Sequence, residues 1–160
     1  MNTAFQPDYR HFEDVMRNRR PARLPLYEHI VGIETMEAVL DTPFARLLRT
    51  GDARDRDEFF RQFCRFFREM TYDVVSYEVC ITEILPERGA LMGGRPGPIQ
   101  NRADFERYPW ADLPARYWAA ATPRFDALVR TLPPGMKAVG GVGNGVFEIS
   151  EDLVDRKSVV

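Results

Sequence analysis

The sequence predicts an α/β fold with parallel strands, and three observations lead to that prediction. An amphipathic helical pattern covers residues 54–70, and a β-rich run, residues 73–81, follows almost at once. A second β-rich run, residues 137–142, comes after further helical patterns. Helices that alternate with strands in this way are typical of folds in which right-handed helical crossovers join parallel strands.

Weaker patterns precede the long helix. Residues 11–19 place Phe12, Val15 and Met16 at helical spacing, which predicts a short helix. The apolar run at residues 24–27 predicts a short first strand that begins at about Pro25, since proline has no N–H to donate and is tolerated at a strand's start or edge. Residues 33–40 then predict one or two helical turns.

The pattern at residues 54–70 is the strongest local signal in the chain. Its apolar residues recur at intervals of three and four, and they are Phe59, Phe60, Phe63, Cys64, Phe66, Phe67 and Met70. Charged residues mostly occupy the other side of the helix, and Asp52 is a suitable N-cap. A face that carries so many phenylalanines must be buried against something broad, so we expect it to pack on a β-sheet.

The second half of the chain continues the alternation. Residues 87–100 are rich in glycine and proline and predict a loop. The remaining patterns predict a helical turn at 104–107, a helix from about 112 to 121, another from Pro123 to Thr131, a strand at 137–142 and a helix at 147–154. The separate helix starting at Pro123 is expected because proline is common in the first turn of a helix.

Composition limits the classes of partner. The chain has 160 residues, of which 44% are hydrophobic and 29% charged, as in an ordinary globular domain. Its net charge of −2 gives no electrostatic reason to bind nucleic acid or an anionic membrane. The apolar runs are shorter than the roughly 20 residues of a membrane span, and no signal-peptide pattern is present at the N-terminus. Two cysteines outside any CxxC motif suit a reducing compartment, so we expect a cytoplasmic protein.

Two architectures fit the alternating pattern, an open doubly wound sheet and a (β/α)8 barrel. Four segments bear on the choice: residues 23–29 (RLPLYEH), 72–76 (YDVVS), 97–110 with GPI, DFE and PW, and 137–143 (KAVGGVG). Their order and spacing resemble the uroporphyrinogen decarboxylase family, over nearly all of the chain up to about Val154. The resemblance implies a partial (β/α)8 TIM barrel in which residues 1–154 supply the first three to four βα units, since a barrel takes about 250 residues.

The resemblance also implies what the parent enzyme does. True decarboxylases of the family carry Arg-Gln-Ala-Gly-Arg after the first strand, whereas residues 28–34 here contain no arginine. Arginine forks bind carboxylates through paired charge-assisted bonds, so methyl transfer on a corrinoid- or tetrapyrrole-linked substrate is favoured over decarboxylation. The implied partners are a small-molecule substrate and a corrinoid protein. Family methyltransferases bind zinc through a late His-x-Cys and a further Cys, which would fall beyond residue 160.

Other interpretations remain open at this stage. Residues 155–160 (DRKSVV) are what the common adapter string GAT CGG AAG AGC GTC GTG encodes, so we expect a non-native tail after residue 154. The chain by itself would then be an inactive partial product. Authentic uroporphyrinogen decarboxylation in porphyrin biosynthesis is one alternative, and a small nucleotide-binding α/β module is another.

Barrel active sites lie at the carboxyl ends of the strands, which selects six residues. Glu28 and His29 follow the first predicted strand, and Glu78 lies near the end of the second; these are the candidate catalytic acids and bases. Tyr77, Gly143 and Asn144 are the candidate substrate-binding residues. The alternatives without a functional role are a solvated loop for Glu28 and His29 and a structural ion pair for Glu78. No metal site is assigned within the chain, and the glycine run at 140–145 does not spell GxGxxG.

Overall fold

The computed structural model describes residues 5–90 and 95–154. Within these ranges the chain forms helices α1 (Arg10–Met16), α2 (Ile33–Leu40), α3 (Ala53–Glu69), α4 (Arg102–Arg107), α5 (Leu113–Thr131) and α6 (Val146–Val154), and strands β1 (Val74–Cys80) and β2 (Lys137–Gly143). Short 3-10 turns lie at Ala45–Arg49, Ile81–Glu83 and Trp110–Asp112. The predicted mixed α/β class is confirmed, and most predicted elements fall within a few residues of their expected ends.

Strands β1 and β2 pair with each other in parallel, as predicted. Helices α4 and α5 lie between them in sequence and form the connection that a parallel pair requires. Among the described residues the sheet has these two strands, so the expected third strand is missing from it.

The predicted first strand near Pro25 is wrong, because residues 24–27 carry no strand. Pro25 cannot donate to a ladder, and the side chains of Leu24 and Leu26 are exposed rather than packed. The segment nevertheless runs alongside β1 in the same direction. The Arg23 guanidinium binds Asp73 before the strand, and the backbone oxygen of Glu28 accepts a hydrogen bond from the Ser76 hydroxyl.

The chain divides into two compact units, and the boundaries fall within β1, α5 and β2. Of the described residues, unit 1 contains 5–77 and 123–140, and unit 2 contains 78–90, 95–122 and 141–154. Each unit has its own set of buried residues and is described separately below. The expectation of one domain over residues 1–154 stays a prediction.

The aromatic face of α3 forms the core of unit 1, as predicted. Its five phenylalanines are at most 5% exposed, and Asp52 caps the helix by accepting hydrogen bonds from the backbone N–H groups of Arg54 and Asp55. The face packs partly on the strand, where Phe60 lies edge-on to Tyr77. It also packs on the preceding segment, where Phe44 contacts Phe59. Met70 lies beyond the helix end and is 38% exposed, so its place on this face was wrongly predicted.

Helices α3 and α5 lie on the same face of the strands within unit 1. The Tyr77 ring of β1 contacts Phe63 of α3 at 5.5 Å between centroids and Phe125 of α5 at 5.9 Å. A Cβ on Gly140 of β2 would lie 3.3 Å from the same Phe125 ring. Successive strand residues point to opposite faces, so Ser76, one residue before Tyr77, points away from the helices.

Helix α5 corrects the prediction of two shorter helices that meet at Pro123. One continuous helix contains this proline in its interior, although proline removes a backbone hydrogen bond there. Ala121 before it and Ala127 and Leu128 after it are fully buried. Burial of residues on both sides of Pro123 stabilises the continuous helix and offsets the cost of the hydrogen bond that proline removes. This stabilisation comes from tertiary packing, which the local sequence pattern does not indicate.

Unit 2 has a small core around the end of α6. It consists of Leu85, Ile99, Tyr108 and Leu153, against which Leu113, Ile149 and Val154 pack. The backbone N–H of Ile99 donates to the carbonyl of Leu153. Gly97 permits this approach, because a Cβ there would lie 2.2 Å from the same carbonyl oxygen. The loop after residue 95 is therefore fixed against α6.

Candidate functional site

The carboxylate of Glu78 lies across two glycines of the neighbouring strand. A Cβ on Gly141 would be 2.8 Å from Glu78 Oε1, and a Cβ on Gly143 would be 3.0 Å from Glu78 Oε2. The first distance is shorter than real Cβ contacts allow and the second is tighter than most of them, so the two glycines provide the space that the carboxylate occupies. The structure thus brings together two predicted site residues, Glu78 and Gly143, near the carboxyl ends of β1 and β2.

Cys80 lies in the same place. It follows Glu78 by two residues on β1 and therefore faces the same side of the strand. Its Sγ lies 2.5 Å from the position that a Cβ on Gly143 would take, so the thiol and the Glu78 carboxylate border the same glycine. The thiol is partly buried. The sequence analysis did not select Cys80, although its spacing from Glu78 places both residues on one strand face.

Asn144 joins the loops that follow the two strands. Its backbone φ is 73°, in the left-handed region that asparagine tolerates better than most residues. Its side-chain Oδ1 accepts a hydrogen bond of 2.7 Å from the hydroxyl of Thr82. The predicted site residue Asn144 therefore lies at the strand ends, where it fixes the loop after β2 to the turn after β1.

Tyr117 of α5 adds a buried hydroxyl that the sequence analysis missed. The residue is 5% exposed, and its hydroxyl oxygen is buried without a hydrogen-bond partner among the residues that the structure describes. Burial raises the pKa of the Tyr117 phenol, and the negative charges of Cys80, Glu78 and Glu83 raise the pKa further. The phenol is therefore protonated at neutral pH.

Three predicted site residues belong to unit 1. Glu28 and His29 are exposed, and His29 Nδ1 lies 3.4 Å from the Tyr27 hydroxyl, a long contact for a hydrogen bond. The Tyr77 ring lies in the aromatic core against Phe60, so any contact with substrate would be limited to its hydroxyl. Convergence of Glu28 and His29 with Glu78 on one edge stays a prediction.

The strand-end cluster, formed by Glu78, Cys80, Gly141 and Gly143, fits some ligands better than others. The Glu78 carboxylate places a negative charge over Gly141 and Gly143, where a nucleotide-binding loop needs backbone N–H groups open to a phosphate. This disfavours the nucleotide-binding alternative. Within residues 5–90 and 95–154, no group of three His, Cys, Asp or Glu side chains could hold a metal ion. The described residues therefore do not fit a zinc ion.

The geometry defines an α/β protein with a parallel strand pair and with a carboxylate and a thiol near the strand ends. Comparison of the chain with protein-family models, with curated proteins and with solved structures finds no match. Among the described residues, no helix has the length and apolar character needed to cross a membrane.

The two cysteines should differ strongly in reactivity toward a disulfide reagent at pH 8. Cys64 is 1% exposed, and burial raises the pKa of its thiol to about 12 despite the opposing hydrogen bond with Thr131. Since the thiolate is the reactive form, we expect Cys80 to be modified at least tenfold faster than Cys64. Mass spectrometry of the peptides after timed quenching measures both rates.

Single-cysteine variants provide the control for this labelling. The Cys64→Ser variant should retain the fast phase of thiol modification. The Cys80→Ser variant should show only the slow phase until urea unfolds the chain and exposes Cys64. Equal rates at the two thiols in the folded chain, or faster modification of Cys64, would contradict the arrangement described here.

Proposed function

We propose that residues 1–154 supply the first βα units of a cytoplasmic (β/α)8-barrel enzyme of the uroporphyrinogen decarboxylase family. The parent enzyme transfers a methyl group on a corrinoid- or tetrapyrrole-linked substrate. The sequence resemblance described above supports the family, and the missing arginine motif favours methyl transfer over decarboxylation. Authentic uroporphyrinogen decarboxylation is the alternative within the same family.

One structural observation carries most of the support for a barrel. Helices α3 and α5 pack on one face of the paired parallel strands, through contacts of Phe63 and Phe125 with Tyr77. In a barrel all helices lie on the outer face of the sheet, and the active site is built at the carboxyl ends of the strands. A doubly wound sheet instead carries helices on both faces. The packing of α3 and α5 on the same face of the strands supports the barrel.

The residues on the other face suit acid–base chemistry. Glu78 is partly buried near the carboxyl end of β1. A carboxylate in this position can act as a general base and take a proton from the molecule that accepts the methyl group. The corrinoid supplies the methyl group when it is bound. Glu78 would take the proton from the S–H or O–H of the acceptor, while Gly141 and Gly143 keep space for the carboxylate.

The first test is to sequence the DNA downstream of the codon for Val154 in the source of this sequence. We expect the reading frame to continue through further βα units and to encode a His-x-Cys motif. The extended enzyme is then assayed for methyl transfer from methylcobalamin to a small thiol and, in parallel, for decarboxylation of uroporphyrinogen. The 160-residue chain is expected to be inactive in both assays.

The Glu78→Gln variant of the extended enzyme provides the mechanistic control. Removing one acid–base group costs typically 10²–10⁴-fold in rate, so we expect kcat to fall by at least about 100-fold. Glu106→Gln, whose side chain on helix α4 is 59% exposed, should leave the rate unchanged. A stop codon in the source DNA without further βα units, or full activity of Glu78→Gln, would contradict the proposal.

A further inference from the structure

Helix α1 and the amino ends of the two strands enclose a pocket within unit 1. Its volume is about 290 Å³, and its walls come from Tyr9, one side of α1, Arg17, Val74 at the start of β1 and residues 137–139 of β2. No residue of α1 is buried, although the helix has an apolar side. The helix therefore covers the strands without filling the space against them.

Contacts within unit 1 hold the walls of this pocket in place. The backbone N–H of Tyr9 donates to the carbonyl oxygen of Gly135, just before β2, over 2.9 Å. Lys137 Nζ lies 3.3 Å from Glu13 Oε1 and 3.9 Å from the centre of the Tyr9 ring. The start of α1 is thus fixed to β2, and the pocket is preformed, as most small-molecule sites are.

The floor of the pocket is apolar. It consists of Phe12, Val74, Ala138 and Val139, of which Val74 is buried. An apolar cavity of about 150 Å³ is large enough to bind benzene, so a pocket of about 290 Å³ has room for a ring and a short arm. The body of a fitting ligand is therefore small and apolar.

The charged residues of the walls define the other end of the ligand. They are Glu13, Arg17 and Lys137, and Glu13 is already paired with Lys137. Across residues 5–90 and 95–154, no carboxylate pairs with the Arg17 guanidinium; the neighbouring Asp14 pairs with Arg19 instead. A guanidinium binds a carboxylate through paired charge-assisted hydrogen bonds. Arg17 therefore suits an anionic ligand group.

We propose that the pocket between α1 and the amino ends of β1 and β2 binds a small organic carboxylate. The apolar body of the ligand lies against Val74 and Val139, and its carboxylate pairs with Arg17. An organic cation fits less well, because Arg17 repels it and Glu13 is occupied by Lys137. This site adds a ligand-binding function to the one proposed above and does not depend on it.

The test titrates the 160-residue chain with 3-phenylpropionate and with 3-phenylpropanamide, which have the same body and differ in charge. Saturation-transfer NMR gives the dissociation constant of each probe. We expect the carboxylate to bind in the millimolar range, since ligands with few atoms have limited affinity. The amide should bind about three- to fivefold more weakly, the effect of one exposed ion pair.

Arg17→Gln tests the charged contact. It should weaken binding of 3-phenylpropionate about three- to fivefold and leave the affinity for the amide unchanged. Arg20→Gln is the matched control, because it removes the same charge from an exposed residue outside the pocket walls. This control should alter neither affinity, which separates a direct contact from a general effect of net charge.

Val139→Phe tests the apolar floor by filling it, and it should weaken binding of both probes at least tenfold. Val129→Phe makes the same replacement at an exposed position of α5 outside the pocket and should leave both affinities unchanged. Circular dichroism checks that each variant is folded. If Val139→Phe does not fold, the comparison of Arg17→Gln with Arg20→Gln decides the matter.

Four results would overturn this site: no saturable binding of 3-phenylpropionate, equal affinity for the carboxylate and the amide, equal effects of Arg17→Gln and Arg20→Gln, or unchanged binding in a folded Val139→Phe variant. All of these measurements record binding and none records methyl transfer or decarboxylation. An inactive extended enzyme would therefore remove the proposed function and leave this site in place.

Discussion

Replacing Phe60 with alanine is expected to lower the free energy of unfolding by about 3–5 kcal/mol, the range for a buried phenylalanine. Phe60 is fully buried. Its ring lies 5.0 Å from that of Phe59 and 4.9 Å from that of Tyr77, so truncation leaves a cavity between helix α3 and strand β1. Urea unfolding followed by circular dichroism at 222 nm measures the loss, since α3 contributes strongly to that signal.

Phe105→Ala is the control for the Phe60 substitution. Phe105 lies on helix α4, is 53% exposed and makes one ring contact, with Trp110. A loss of no more than about 1 kcal/mol is expected, because little apolar area leaves a buried position. If both substitutions cost the same, the aromatic face of α3 is not the core of unit 1.

Asp73→Ala is expected to cost about 3 kcal/mol, because it breaks a buried ion pair from one side. Asp73 is fully buried and accepts hydrogen bonds from both terminal nitrogens of Arg23 and from the backbone N–H of Asp8. The Arg23 side chain is 37% exposed, so water compensates part of its loss and the cost lies at the low end of the range for buried pairs. The same urea titration measures it.

Two further variants distinguish the ion pair from the hydrogen bonds. Asp73→Asn keeps an oxygen that can accept from Asp8, so it should cost less than Asp73→Ala. Glu106→Ala removes an exposed pair with Arg102 on α4 and should cost less than about 1 kcal/mol. An Asp73→Ala variant as stable as Glu106→Ala would show that the segment before residue 24 is not held to β1 through Asp73.

The sequence was informative wherever one element carries its own periodic signal. The spacing of Phe59, Phe63 and Phe67 predicted helix α3 and its buried face, and Asp52 predicted the N-cap. The β-rich run after it predicted β1, and the alternation predicted that β1 and β2 are parallel. Helix α3, its cap and strand β1 depend on residues that are close in sequence, so pattern alone could supply them, and the order of the elements along the chain supplied the parallel pairing.

The candidate site was predicted in part for the same reason. The ends of predicted strands are visible in the sequence, and this selected Glu78, Gly143 and Asn144, which the structure places together at the strand ends. Successive residues of a strand point to opposite faces of the sheet, so the sequence also indicated that Tyr77 and Glu78 lie on opposite faces. The aromatic contacts of Tyr77 assign its ring to the core of unit 1.

The tertiary structure alone decided what depends on distant residues. Tyr117 is buried through the placement of α5, and no local pattern distinguishes it from any other helical tyrosine. Burial on both sides of Pro123 keeps α5 continuous, and the lack of packing partners leaves residues 24–27 without a strand. A proline inside a helix costs about 3 kcal/mol, and burial of a large apolar side chain such as Leu128, worth about 1.5–3 kcal/mol, offsets most of that cost together with the other buried residues of α5. Long-range packing therefore overrides the local signal at these positions, and a sequence does not display which distant residues will pack together.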